Sequence, residues 1–442
     1  MRSIYTLLVA LAMPFASLAV AWRSLAEPAY RKGWGQRFGL GAPLAGQRQS
    51  FWLHAVSVGE VQAAQPLLRA LHEQWPDSGI VITSATPAGR TRAAGLLAEL
   101  AGARATGLAS KPDPKAPPRE ARYAPYDFPA CIRGALRRFR PAMLLVLETE
   151  LWPNLLAECR RKGLPVLLVS ARLSARSQRR LARFDLLRAS LRSGVTVAAQ
   201  SQEDAARFVA LGVPAASVLV AGNLKFDRTP SDALRQRGRE LRGRWAPGRF
   251  CWVAGSTHQG EEPAALWAQS RLVRERGDCL LVIAPRHKPR FNDVWQMLGH
   301  SGFRVARYSD FQAGKGNDPA TCQILLLDTV GDLEACYAAA DLAFVGGSLV
   351  PAGGHSLLEP AALGIAALAG TGQATSPDVA RLLAEQGALK LVANSAELAD
   401  EVLRLAADPQ ARARMGAAGA AVVAAHRGAL ARVVALVSER LG

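Results

Sequence analysis

Leu342-Ala343-Phe344-Val345 runs directly into Gly346-Gly347-Ser348-Leu349, and after three more residues comes Gly353-Gly354-His355-Ser356-Leu357-Leu358-Glu359-Pro360. The first four residues read as a buried strand and residues 357–363 as an apolar helix. Glycines at a strand exit let the backbone approach a ligand closely and leave peptide N–H groups free. A helix starting beside them aims its positive end at the same spot. Glu359, in the first turn, can accept hydrogen bonds from sugar hydroxyls. Together these parts suit a nucleotide-activated sugar. A Gly-rich turn that only ends a buried strand explains the glycines alone equally well. The carboxylate and comparable motifs at other strand ends tip the balance toward a ligand.

Working outward, strands and helices alternate. Strands are expected at 51–56, 80–83, 143–147, 165–169, 195–199 and 218–221, with helices at 61–71, 92–100, from 153, and 205–210. A second series has strands at 250–254, 280–284, 303–306, 324–327, 342–345 and 365–368. Such alternation implies parallel sheets wrapped by helices. Residues 229–247 are polar, Arg-rich and flanked by prolines, and are expected to connect two domains. Residues 395–441 are helical by period and can return to the first domain. Residues 102–119, rich in Lys, Pro and Ala, read as a flexible basic loop. The expected organisation is a membrane anchor at 1–23, a Rossmann-like domain at 24–228, the connection at 229–247, and a second Rossmann-like domain with C-terminal helices at 248–442. In such folds ligands bind at strand C-termini, in a cleft. The missing GxGxxG after the first strand argues against a nicotinamide dinucleotide.

The chain has 442 residues, half of them hydrophobic, enough for two α/β domains. Its formal net charge of +18 favours an anionic partner. No nucleic-acid module is readable, and aromatics make up only 6% of residues, too few for a stacking platform. That leaves an anionic membrane surface or phosphorylated substrates. The six cysteines show no CxxC or zinc spacing and read as reduced core residues, which places the main body in the cytosol. Residues 4–22 are apolar or small and just reach the roughly 20 residues that span a bilayer. Arg23, Arg31, Lys32 and Arg37 follow, against one Arg before, which orients the downstream chain to the cytoplasm. Ala19-Val20-Ala21 also resembles a signal-peptide cleavage site, but the heavier downstream positive charge argues for an uncleaved anchor. Trp34 and Phe38 among basic residues suit the headgroup layer.

The charged residues at strand ends are the candidates for chemistry. Glu60, in Ser57-Val58-Gly59-Glu60, reads either as a general base or as an acidic first-turn residue. Glu148-Thr149-Glu150-Leu151-Trp152-Pro153-Asn154 carries two carboxylates beside Trp, more than a turn needs. Arg172 sits at another strand end. Lys225, in Gly222-Asn223-Leu224-Lys225-Phe226-Asp227, can offset developing negative charge. Gly255-Ser256-Thr257-His258-Gln259-Gly260-Glu261-Glu262 has the small and hydroxylated residues of a phosphate-binding helix start. Arg286 follows another strand, and Asp328-Thr329-Val330-Gly331-Asp332 reads mostly as an ordinary helix cap.

Tyr30-Arg31-Lys32, His54 to Glu60, Glu148 to Asn154, Ala171 to Ser174, Gly222 to Asp227, Ser256-Thr257-His258, Pro285-Arg286-His287 and Gly346 to Pro360 occur in this order. Jointly they resemble the 3-deoxy-D-manno-octulosonic acid (Kdo) transferases of lipopolysaccharide assembly, from the N-terminal anchor to the C-terminal helices. The resemblance implies a GT-B fold: two Rossmann-like domains facing a central cleft, one for the lipid acceptor and one for CMP-Kdo. It implies inverting transfer of Kdo to a lipid A precursor (lipid IVA), with no metal or other cofactor. By motif, Glu60 matches the catalytic base, and Glu148 and Lys225 match positions that stabilise the transition state. Pro285 and Arg286, Val330, Gly331 and Asp332, and Ser356, Leu357, Leu358 and Glu359 match CMP contacts. The chain departs from the family pattern at Gly33, at Gln36, where Glu is usual, at Val330, and at Ser356, where Asn is usual and Ser is expected to cap the helix. Two other readings remain: a UDP-sugar-dependent transferase or epimerase on the same fold, and a non-catalytic membrane-associated protein.

Overall fold

The computed structural model describes residues 2–45, 49–101, 117–183, 185–192 and 194–441. The chain forms two compact units, Met1–Asp227 with Arg427–Gly442, and Arg228–His426. Each is built on a seven-stranded parallel sheet.

The first sheet contains β1 (Ser50–His54), β2 (Gly79–Ser84), β3 (Arg119–Tyr123), β4 (Pro141–Leu147), β5 (Val166–Ala171), β6 (Val195–Ala199) and β7 (Val218–Val220), in the order β3-β2-β1-β4-β5-β6-β7. Successive side chains of a strand point to opposite faces. Trp52, Val81, Leu144, Val146 and Leu168 fill one core, and Phe51, Leu53, Ile80, Leu145, Leu167 and Val169 fill another. Burial on both faces is why these strands read as continuous apolar runs. The second sheet contains β8 (Phe250–Thr257), β9 (Cys279–Pro285), β10 (Val305–Arg307), β11 (Ile324–Leu326), β12 (Leu342–Val345), β13 (Ala366–Gly370) and β14 (Leu389–Val392), in the order β10-β11-β9-β8-β12-β13-β14.

In both sheets the winding reverses once. The first runs outward from β1 to β3 and returns to place β4 on the other side of β1. The second runs outward from β8 through β9 to β10, fills the place between them with β11, and then puts β12 on the other side of β8. Each crevice at a reversal, between β1 and β4 and between β8 and β12, is where an open parallel sheet binds ligands.

Several boundaries differ from the sequence reading. Residues 229–247 are not a bare connection. Ser231 caps a helix, Asp232–Trp245, by accepting the Leu234 N–H at 3.1 Å, and Trp245 and Ala246 enter the core of the second unit. The helix looks like a linker because only one narrow face is buried. The chain also returns: helix Ala429–Leu441 belongs to the first unit, where Ala429, Val433 and Val437 pack with Phe51 and Leu53. Asp227 fixes its start, its two carboxylate oxygens each accepting one N–H, from Gly428 and Leu430, at 2.6 Å. β3 and β14 were not expected. Of the basic loop assigned to 102–119, residues 102–116 lie outside the described residues, and Arg119 opens β3. All six cysteines are buried and free.

The N-terminal helix Arg2–Ala26 is long and apolar enough to cross a membrane. Ile4, Leu7, Leu8, Leu11, Phe15, Leu18, Trp22 and Leu25 are exposed along one face at helical spacing. Its first turns, however, are bonded to the first unit. Arg2 donates to Asn154 Oδ1 (3.1 Å) and Glu158 (2.9 Å), Tyr5 donates to Asp127 (2.8 Å), and Thr6 donates to Asn154 (3.1 Å). These bonds tie the helix to the unit at its first turns, where the single-pass expectation puts Arg2 across the bilayer.

Candidate functional site

In the first unit, the candidates gather at the reversal. Ser57 and Glu60, following β1, form a reciprocal cap on helix Val58–Ala63. Ser57 Oγ accepts the Glu60 N–H (3.2 Å) and donates to Glu60 Oε1 (2.7 Å), while Glu60 Oε2 accepts the Val56 N–H (2.9 Å). The acidic helix-start reading is therefore correct, and it does not compete with the base reading. Glu60 is 9% exposed. Burial pushes its carboxyl up to about 7, opposed by the two hydrogen bonds and assisted by the Glu150 and Glu148 carboxylates. Such a group takes up and releases protons at neutral pH.

Glu148, at the end of β4, has a left-handed backbone (φ +56°), as does Ser170 in β5 (φ +52°). Non-glycine residues persist there only when their surroundings over-determine them, commonly at functional sites. Glu148 accepts from Lys225 Nζ at 3.0 Å and lies 3.4 Å from Arg172 Nε. Lys225 is held by a single 3-10 turn, Leu224–Phe226. Ser170 Oγ accepts the Leu224 N–H (3.1 Å), Asn223 accepts the Lys225 N–H (2.9 Å), and Leu224 and Phe226 are buried. The structure thus unites Glu148, Lys225 and Arg172. Glu150 instead accepts from Trp152 Nε1 (2.9 Å), whose ring meets His54 edge-on at 4.5 Å. His54 is buried, and desolvation lowers it to about 3, so it is neutral. The departure at Gln36 is accommodated: its Oε1 accepts the Tyr123 N–H at 2.9 Å.

The second unit corrects the glycine-loop reading. The N–H groups of Gly347 (2.7 Å), Ser348 (2.9 Å) and Leu349 (2.9 Å) are not free, because all donate to Glu261, which also accepts the His258 N–H at 2.9 Å. Glu261 is fully buried and occupies the cradle as an internal anion. Glu262 is equally engaged, with Thr257 Oγ1 (2.8 Å) and a two-pronged Arg290 contact (2.6 and 3.0 Å). Sequence reasoning missed both roles. The only signal was a pair of acids directly after Gly260.

Arg286 remains available. It is exposed after β9 and forms no ion pair among the described residues. Glu359 lies 3.4 Å from Arg228, which also bonds Glu334. Burial pushes Glu359 up to about 7, offset by Arg228, by a hydrogen bond from Ser356 and by Arg286. Ser356 does not cap the helix Leu358–Leu363. Leu357 occupies that position without a side-chain bond. Leu357 and Leu358 are buried, which leaves only their backbones to reach a ligand bound there; Pro285 ends β9. Val330 is 69% exposed, Gly331 has open space beside it (φ +100°), and Asp332 bonds Thr329 Oγ1 (2.6 Å) and Arg237 rather than capping helix Leu333–Ala339.

Residues 32–228 match the family model described as 3-deoxy-D-manno-octulosonic-acid transferase (kdotransferase). The chain is 32% identical over 443 residues to the 3-deoxy-D-manno-octulosonic acid transferase of Haemophilus influenzae, covering 100% of this chain and 99% of that protein. It is 36% identical over 405 residues to the enzyme of the same name from Bordetella pertussis, covering 91% of this chain and 89% of that protein. The structure of UDP-GlcNAc 2-epimerase from Neisseria meningitidis superposes with a TM-score of 0.53 at 14% identity, covering 89% and 99% of the two chains, and shows the fold alone, a GT-B-like pair of parallel α/β units. With full-length identity of this order to named transferases, the chain belongs to the 3-deoxy-D-manno-octulosonic acid transferase family.

Proposed function

We propose that this protein transfers Kdo from CMP-Kdo to a lipid A precursor with inversion, the first unit serving the acceptor and the second the donor. The observation that carries this reading is Glu60, a buried carboxyl near neutrality at the reversal of the first sheet. The acceptor's primary hydroxyl gives its proton to Glu60 as its oxygen attacks C2 of Kdo. The C2–O bond to phosphate breaks, and its electron pair leaves with CMP. Lys225 and Arg172, set around Glu148, supply positive charge beside the reacting groups. Arg286 meets the donor's phosphate. The test is incubation with CMP-Kdo and a tetraacylated lipid A precursor, with mass spectrometry of the product. Turnover with a UDP-sugar in place of CMP-Kdo overturns the reading.

Arg286→Ala is expected to weaken CMP binding by one to two decades, since a charge-assisted bond contributes roughly 1.5–3 kcal/mol. Unchanged affinity by calorimetry means that Arg286 faces elsewhere.

The membrane belongs to the same proposal. The bonds from Arg2, Tyr5 and Thr6 to the first unit, with an exposed apolar stripe, favour a helix lying in the cytoplasmic surface of the inner membrane rather than crossing it. A cysteine at Ser3 (Ser3→Cys) is then labelled by an impermeant maleimide from the side of the catalytic units. Labelling from the opposite side restores the spanning anchor. After deletion of residues 2–26, binding to anionic vesicles should persist and fall steeply with salt, because each basic residue near such a surface contributes about 1 kcal/mol.

A further inference from the structure

Three histidines close the ends of adjacent strands in the second unit. His258 follows β8, His287 follows β9, and His355 lies in the loop after β12; β9, β8 and β12 are neighbours, at the reversal of the sheet. The rings of His258 and His355 lie 13° from parallel and meet head to head, with centroids 5.1 Å apart and Nε2 atoms 2.9 Å apart. His287 meets His258 edge-on at 5.3 Å. Gly347 lets the glycine loop pass against this pair. Its φ is +71°, and a Cβ there would come 2.8 Å from His355 Cδ2.

Two Nε2 atoms at that distance need one hydrogen between them, so one ring donates and the other accepts. An added proton goes to Nδ1 of the donor ring, and the Nε2–H···Nε2 bond becomes charge-assisted. In the free protein burial, Arg286 and the other two imidazoles hold His355 down at about 4, and His287 is lowered for similar reasons. The surrounding charges are Arg286, Lys288 and Arg290 after β9, Glu261 and Glu262 at the start of helix Glu261–Arg276, and Glu359 in helix Leu358–Leu363. Glu262 is committed to Arg290 and Glu261 to peptide N–H groups.

We propose that the His258–His355 pair is an anion subsite that takes up a proton when the donor binds, so that a CMP-activated ulosonic acid is met by an imidazolium as well as by Arg286. The proposal rests on the reading of the second unit as the donor-binding unit. The charge count motivates it. Such a donor carries two anionic groups, a phosphodiester and a carboxylate, and among the described residues Arg286 is the unpaired cation whose charge acts on the His355 ring. The glycine cradle cannot supply the balance, because Glu261 fills it. An arriving anion offsets the desolvation and the positive charge of Arg286 that hold His355 down.

The test is calorimetry of CMP-Kdo binding at about pH 6.5 in buffers of different ionisation enthalpy. Neither anionic group of the donor titrates there, so any proton comes to the protein. Uptake approaching one proton per donor is expected, with affinity tightening up to about tenfold per pH unit below the pKa that the pair acquires in the complex. His258→Asn and His355→Asn should each abolish uptake, whereas in Glu359→Gln, which removes the other group near neutrality, the protons taken up per donor bound should match wild type whatever the affinity. The methyl ester of CMP, which lacks the carboxylate, separates the sources: uptake retained assigns the phosphate to the pair, and uptake seen only with the intact donor assigns the carboxylate. Wild-type binding without proton exchange, or uptake lost in Glu359→Gln but kept in both histidine variants, overturns the subsite. Failure of CMP-Kdo to bind while a UDP-sugar binds instead overturns the functional reading beneath it.

Discussion

Glu60→Gln is expected to lower turnover by roughly 10²–10⁴-fold, the usual loss when a positioned base is removed, while CMP affinity stays unchanged. The substitution preserves the cap. A Gln oxygen can accept the Val56 N–H while its amide donates to Ser57 Oγ, so the helix start keeps both bonds that Glu60 now makes. The pH dependence follows from the same environment. A base must be ionised to accept a proton, and burial holds Glu60 at about 7. Wild-type kcat/KM should therefore rise about tenfold per unit up to that pH and level above it. Stability runs the other way. The folded value lies above the ordinary 4.5, so folding favours the protonated acid. That contribution is complete below about 4.5 and lost as pH rises through about 7. The uncharged variant should consequently melt no lower than wild type at alkaline pH. A variant that folds, binds CMP and turns over near the wild-type rate removes Glu60 from the reaction.

What the sequence disclosed follows from burial. β1, β4, β5, β8, β9 and β12 lie inside parallel sheets, covered on both faces, and each is a continuous apolar run that periodicity and turn residues can locate. β3 and β14 are edge strands. Arg119, Glu120 and Arg122, and Lys390, dilute their apolar signal below recognition, as edges require to resist pairing with other chains. Helix Ala429–Leu441 was visible as a helix, but no local pattern says which sheet it covers; its cap, Asp227, is a tertiary contact. The site divides the same way. Glu60, Glu148, Lys225 and Arg286 are charged residues at strand ends, and a charge there is conspicuous. Glu261 is equally charged and, like Glu60, a first-turn acid shortly after a strand, so no local pattern gives its role. Only the fold brings it beneath Gly347, Ser348 and Leu349, turning an apparent phosphate cradle into a satisfied internal one.

Lys225→Met and Glu148→Gln are each expected to lower kcat/KM by roughly 10²–10³-fold, the scale of losing a preorganised charge or donor at a reacting centre. The two side chains are 3.0 Å apart and both partly buried. Removing Lys225 leaves Glu148 with Arg172, at 3.4 Å, among the described residues and shifts the local potential toward negative beside Glu60, whose carboxyl already feels the Glu148 charge. The base becomes harder to ionise, so the Lys225 variant should show its pH–rate rise displaced upward. Removing Glu148 acts in the opposite sense on Glu60 and frees the Lys225 ammonium from the position it now holds. Because the strained backbone at Glu148 and the tight turn around Lys225 serve one arrangement, the double variant should lose little more than the worse single one. Steady-state kinetics on the four proteins of the cycle decide this. Losses that multiply show two independent residues, and losses under about tenfold show a structural ion pair of the kind that contributes little at surfaces. Coupled losses with the upward pH displacement in the Lys225 variant place the pair in the reaction, tuning the base as well as stabilising the charge that develops.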